Sequence, residues 1–324
     1  MQRLSYALAV CLLTGCTTRT PPAISLKDMG SFHIGGRDVV ITGKPLPKLE
    51  LTPGVPANID PNGTYAVEQM YVQYFIPSEP RGRIPLLLWH GAWLTAATYE
   101  TTPDGREGWL NYFLKRGWPV YASDAVERGR AGWAPFPDVY SSDPIFLTKE
   151  NSFARFRLAH SQFPMEAVDQ FAKQAVPRWT TNNAATIAAY VELVDKVCPC
   201  VVLVHSQSGL FGASVAELRP DKVKALIMVE PANGGDIKKA ANLKSTPVLA
   251  IFGDFIEQDP RWSQIREVDM RYFEAVRASG GSVDQIDLPK AGIKGNSHMI
   301  MMDKNSDEVA GVIQKWLVSK GLYQ

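Results

Sequence analysis

Residues 200–211, CVVLVHSQSGLF, place a serine hydroxyl in the local setting needed to expose it as a nucleophile. A β-branched apolar run stops at Ser206, and small residues follow at once. Such a run reads as a buried strand ending on a sharp, strained turn, with a helix starting directly behind it. In this elbow the positions two before and two after the nucleophile must be small. Here they are Val204 and Ser208, with Gly209 beyond, so the usual G-x-S-x-G becomes V-H-S-Q-S-G. The bland alternative is a Ser-rich loop after an ordinary strand.

A serine attacks an ester at neutral pH only with a base beside it, and histidine is suited because its pKa lies near the operating pH. Of the five histidines, His33, His90, His160 and His205 precede Ser206, and His298 alone follows it. Elbow-type hydrolases run nucleophile, acid, histidine along the chain, which selects His298. It sits in AGIKGNSHMIMMDKN, between the expected last strand SVDQIDLP and the terminal helix. His205 is expected to point away from the nucleophile, since adjacent side chains diverge on a strand. Two strand-end carboxylates could orient the imidazole, Glu230 in LIMVEP and Asp254 in LAIFGD. Bare topology leans to Asp254 and leaves Glu230 as a structural acceptor.

The tetrahedral intermediate needs backbone N–H donors. Gln207, just after the nucleophile, supplies one candidate, and Ala92, in the loop after the WHG strand, supplies the other. Trp93 beside it is either a wall of the substrate pocket or part of the core. The charged stretch from Asp124 to Trp133, DAVERGRAGW, is expected to order its own loop and not to bind a ligand.

The surrounding elements suit such a site. SFHIGGRDVVITG and VEQMYVQYFIP read as an antiparallel opening. RIPLLLWHG, GWPVYASD, CVVLVHS, KALIMVE and TPVLAIFGD are short, continuous apolar runs, as expected of parallel strands covered on both faces. Helical stretches alternate with them, so the fold class is α/β with a mostly parallel, doubly wound sheet in one domain, 23–324. The interval 134–179 breaks the rhythm and is predicted to be a cap insertion with one helix in PMEAVDQFAKQAV. The aromatics Trp133, Phe136, Tyr140 and Phe146 suggest either a mostly apolar pocket or the cap's own core.

Composition narrows the partners. With 34 Lys+Arg against 33 Asp+Glu the net charge is +1, and no basic cluster interleaved with aromatics appears, which argues against nucleic acid. Residues 1–22 read as an export segment, and L-T-G-C ending at Cys16 resembles a lipobox, which would make Cys16 the lipid-anchored first residue of a periplasmic or outer-membrane lipoprotein. Cys198 and Cys200 lack the further ligands of a zinc site, and two buried thiols are preferred over a short disulfide.

Taken together, SFHIGGRDV, LWHG, YETTPDGREGW, ERGRAG, VHSQSG, VEP, FGDFIE and GNSHMIMMDKN resemble the bacterial serine esterases of the esterase 713 group, a branch of the α/β-hydrolases. The resemblance implies a cofactor-free, metal-free carboxylic ester hydrolase, dimeric, acting on small to medium esters. It also implies Ser206 as nucleophile, His298 as base, Glu230 as acid, and Ala92 and Gln207 as oxyanion donors. Some relatives carry adjacent cysteines after the H-G; here those places are Ala92 and Trp93.

Overall fold

Short apolar runs become interior strands only when both of their faces are covered, and the fold of this chain meets that condition. The computed structural model describes residues 23–134, 136, 139 and 142–324; the export segment with Cys16, and Tyr140, lie outside them. In chain order the elements are β1 (Leu26–Ile41), β2 (Leu49–Thr52), β3 (Val55–Ala57), β4 (Gly63–Pro77), β5 (Leu86–Trp89), α1 (Ala97–Glu100), α2 (Trp109–Leu114), β6 (Val120–Asp124), α3 (Lys149–Arg155), α4 (Val168–Ala172) and α5 (Asn183–Val197). They continue with β7 (Cys200–His205), α6 (Ser208–Leu218), β8 (Val223–Val229), β9 (Val248–Phe252), α7 (Pro260–Ala278), β10 (Val283–Asp287) and α8 (Ser306–Ser319).

Eight strands form one sheet in the order β1-β4-β6-β5-β7-β8-β9-β10. The first three are joined antiparallel and the rest parallel, as the sequence pattern predicts. Alternation along each strand fills two cores. Leu86 and Leu88 of β5, Val201 and Leu203 of β7, and Leu249 and Ile251 of β9 pack with α2 and α8 on one face. Leu87, Val202, Val204 and Ala250 pack with α5, α6 and α7 on the other. The chain is therefore a three-layer α/β sandwich, and the parallel strands deliver their C-terminal ends to one edge, where ligands bind in such sheets.

The connection before β4 carries a small hairpin, β2–β3, turned at Gly54 with φ +77°. Two local expectations change. The helix expected in PMEAVDQFAKQAV reduces to a 3₁₀ turn, Met165–Ala167, and the five-residue α4, anchored by buried Phe171. Cys198 and Cys200 are joined as a disulfide rather than left as thiols. Their Cα atoms stand 4.5 Å apart at the turn into β7, within bridging reach, so turn geometry outweighs the preference for two buried sulfurs.

Asp269 lies fully buried on the sheet-facing side of α7 with neither carboxyl oxygen hydrogen-bonded among the described residues, although the Gly234 amide is close. Burial, reinforced by the charge of Glu230, pushes its pKa up from 3.8 to about 8. The folded state thus holds a proton that an unfolded Asp has released, and the stability this costs grows as pH rises from 3.8 toward about 8. Asp269→Asn is expected to raise Tm clearly at about pH 8.5 and hardly at all near pH 3, where the acid is largely protonated in both states. Equal shifts at both pH values in thermal unfolding would contradict the account.

Candidate active site

The loop after β5 and the ends of β7 and β8 each carry a residue forced into the left-handed backbone region: Trp93 (φ +59°), Ser206 (φ +54°) and Glu230 (φ +46°). Such non-glycine strain persists only where the surroundings over-determine it. At Ser206 the amide donates to Val229 O (3.2 Å), and the carbonyl accepts from the amides of Gly209 and Ala232 (both 2.9 Å). The departures from G-x-S-x-G have local explanations. A Cβ at Gly212 would meet Val204 Cγ1 at 2.6 Å, so a helix glycine provides the room that a strand glycine usually provides. Ser208 turns its hydroxyl onto His90 O, tying the elbow to the loop after β5.

That loop is held from several sides. A Cβ on Gly91 would meet His205 Nδ1 at 2.7 Å and Ser206 Cβ at 3.1 Å, which makes the H-G pair a steric requirement. His90 bridges Gly91 O (2.8 Å) and accepts from the Ala125 amide (3.1 Å), an arrangement that fixes a neutral tautomer with the proton on Nδ1. Burial holds its pKa down at about 4. The carboxylate of Asp124 takes the Ala96 amide (2.8 Å) and Arg130 Nε (2.8 Å), the loop-ordering role expected of it. The amides of Ala92 and Gln207 donate to no acceptor among the described residues, and both residues line the cavity over Ser206.

His298 is fully buried, and its Nδ1 lies 3.0 Å from Glu230 Oε2. Its ring sits 4.0 Å from Trp262, 4.6 Å from His205 and 5.6 Å from Phe156, measured between centroids. Nε2 has no hydrogen-bond partner among the described residues, Ser206 included, and His298 and Ser206 line the same cavity. Glu230 further accepts from the Gly253 amide (2.5 Å) and from Arg157 Nη2 (2.7 Å). Burial would push Glu230 up, but Arg157 and His298 outweigh it and hold its pKa at about 2. Burial likewise dominates at His298 and, against the pull of Glu230, lowers it to about 4. The imidazole is neutral at pH 7, with Nε2 unpaired.

Asp254, which topology favoured, does not reach His298. Its Oδ2 accepts from the Gly295 amide (3.0 Å) and its Oδ1 from the Phe255 amide (2.9 Å), so it shapes the loop that carries His298. His205 also departs from expectation: it stays at the site, and its Nε2 contacts His298 O at 2.9 Å.

The motifs outside the elbow act as clamps. Asp303 takes the Ser297 amide (2.8 Å), Ser297 Oγ (2.7 Å) and Asn296 Nδ2 (3.0 Å), pinning the two residues before His298. Arg106, from TTPDGR, reaches Met302 O (2.8 Å) and Asp303 O (3.1 Å). Arg157 comes from the 134–179 insertion, which also supplies Phe156 O to the His298 amide (2.9 Å). Sequence reasoning missed Arg157; the R-F-R spacing at 155–157 was its only trace.

The cavity holds about 310 Å³, with Ala92, Trp93, Phe156, Ser206, Gln207 and His298 among its lining. Trp93 is thus a wall, its Nε1 tied to Ile145 O (3.1 Å). Of the four aromatics named for the insertion, none of the described ones lines this cavity. Phe136 packs on Tyr65, Trp133 leans on Trp179 while half exposed, and Phe146 is 69% exposed. Arg155, Arg178 and Arg261 line the cavity instead.

A solved structure described as the atomic-resolution structure of a novel bacterial esterase superimposes with a TM-score of 0.81 at 35% identity, covering 94% of this chain and 99% of that one. The chain belongs to the α/β-hydrolase esterases. Among curated proteins, a probable secreted lipase, phiG, from a fungus (Fungal sp., strain ATCC 74256) is 25% identical over 79% of this chain and 87% of its own length. No family model matches the chain.

Proposed function

We propose that this esterase-family protein hydrolyses small to medium carboxylic esters through an acyl-enzyme on Ser206. Ser206 Oγ attacks the carbonyl carbon while His298 Nε2 takes its proton. The amides of Ala92 and Gln207 receive the developing oxyanion, and the imidazolium is stabilised by Glu230. His298 then protonates the departing alcohol, and water, activated by the same Nε2, releases the acid. The observation that carries this reading is the neutral His298, with Nδ1 held by an ionised Glu230 and Nε2 unpaired at the cavity beside Ser206. The hydroxyl must swing to Nε2 as substrate binds, a tightening common to sites observed without ligand. Segment 134–179 acts as the cap, and the secreted relative favours export, with a lipid anchor at Cys16 and a homodimer as further parts of the proposal.

A fluorophosphonate should label the folded protein at one residue, identified by peptide mass spectrometry as Ser206. The labelling rate should stay level on acidification until His298 protonates, with a midpoint of about 4. The base works only when neutral, so the loss lies below that midpoint and not above it. A label on another residue, or none on folded protein, would remove the mechanism.

A further inference from the structure

The cavity over Ser206 carries charge that ester hydrolysis does not use. Arg155, Arg178 and Arg261 all line it, and no Asp or Glu appears among its described lining residues. No ion pair engages any of the three among the described residues, whereas Arg157 next to them is spent on Glu230. Arg178 is half-buried, and its Nε lies buried without a hydrogen-bond partner. Its backbone is fixed by paired bonds with Ile145 (2.7 and 3.0 Å). Arg155 is half-buried too, and Arg261 sits exposed on the rim, where Asp259 is occupied in capping α7.

The indoles position these cations. The guanidinium carbons of Arg178 and Arg155 stand 4.9 and 5.7 Å from the Trp93 ring centroid, and that of Arg261 stands 5.1 Å from Trp262. Stacking of this kind holds a guanidinium by its face and leaves its N–H edge free. Three like charges around one small cavity repel each other, and leaving a buried N–H unpaired is costly. Both costs are relieved by an anion that enters with the substrate, and a carboxylate matches the guanidinium fork.

We propose that the preferred substrates are esters carrying a second, ionised carboxyl group, held by Arg178 with Arg155 and Arg261 while the ester carbonyl sits at Ser206. This rests on the esterase reading above.

Isosteric pairs test it on the full-length protein. On the acyl side, mono-p-nitrophenyl adipate is compared with p-nitrophenyl adipamate; on the leaving-group side, 4-acetoxybenzoate is compared with 4-acetoxybenzamide. In one pair, kcat/KM should favour the carboxylate by about tenfold or more, mainly through KM. High salt should erode that preference, because it is electrostatic. The ratio should fall toward unity in Arg178→Gln and recover in part in Arg178→Lys, with Arg155→Gln and Arg261→Gln giving smaller falls. Should Arg178→Gln not fold, the wild-type ratio and its salt dependence decide. Hydrolysis of the amides with no preference for either carboxylate overturns this inference and leaves the esterase standing. A preference that survives all three substitutions overturns the arginine assignment. No hydrolysis of any of the four by folded protein overturns the esterase reading itself.

Discussion

Ser206→Ala is expected to lower kcat/KM for an aryl ester by about four to six orders of magnitude, and His298→Ala by a comparable factor. The two act as one unit, since a serine without its base is a weak nucleophile and the base without the serine has nothing to activate. The double variant should therefore be little worse than either single one. Some activity above the uncatalysed rate should survive, from binding and from the free amides at Ala92 and Gln207. Alanine at position 206 inherits the φ of +54° without new bulk, so a folded Ser206→Ala protein is expected. His298→Ala leaves a gap between Trp262, Phe156 and His205, so its Tm must be read beside its rate. Hydrolysis within tenfold of wild type by folded Ser206→Ala would end the acyl-enzyme account.

The sheet was legible because its strands are apolar on both faces, a pattern that surface elements do not share. VVLV, LIMV and VLAIF could hardly be anything but interior strands, and their order placed Ser206, Glu230 and His298 at one edge. What stayed hidden depends on contacts between segments distant in sequence. Asp254 and Glu230 both close strands, and only the path of the His298 loop decides which carboxylate meets Nδ1. Arg157 lies 73 residues before its partner Glu230, in a segment with no clear periodicity. The lost strand glycine at Val204 could be excused only by knowing that Gly212 faces it across the elbow. The pocket was legible only in part because aromatics were counted along the insertion, whereas its lining takes Phe156 with Arg155 and Arg178 from that segment.

Glu230→Gln should lower kcat/KM by about three to four orders of magnitude, while Asp254→Asn should cost less than about tenfold. The amide keeps the shape of the side chain but removes the charge that opposes the imidazolium, and it can present a donor where Nδ1–H needs an acceptor. Asp254 sees only backbone amides of its neighbourhood, and an asparagine oxygen can still accept from Gly295 or Phe255. A second consequence separates charge from mere shape. Arg157 is 4% exposed, with Nη1 already unpaired, so neutralising Glu230 strands a buried guanidinium and should cost about 3–5 kcal/mol of stability. Adding Arg157→Met to Glu230→Gln removes the stranded charge and should recover much of the lost Tm. It should recover none of the lost kcat, because nothing then balances a protonated His298. If activity returned together with stability, Glu230 would be a fold-holding carboxylate and the acid of the triad would have to be sought again. If Asp254→Asn proved the more damaging, the loop would be the critical element and the hydrogen bond at Nδ1 a consequence of it.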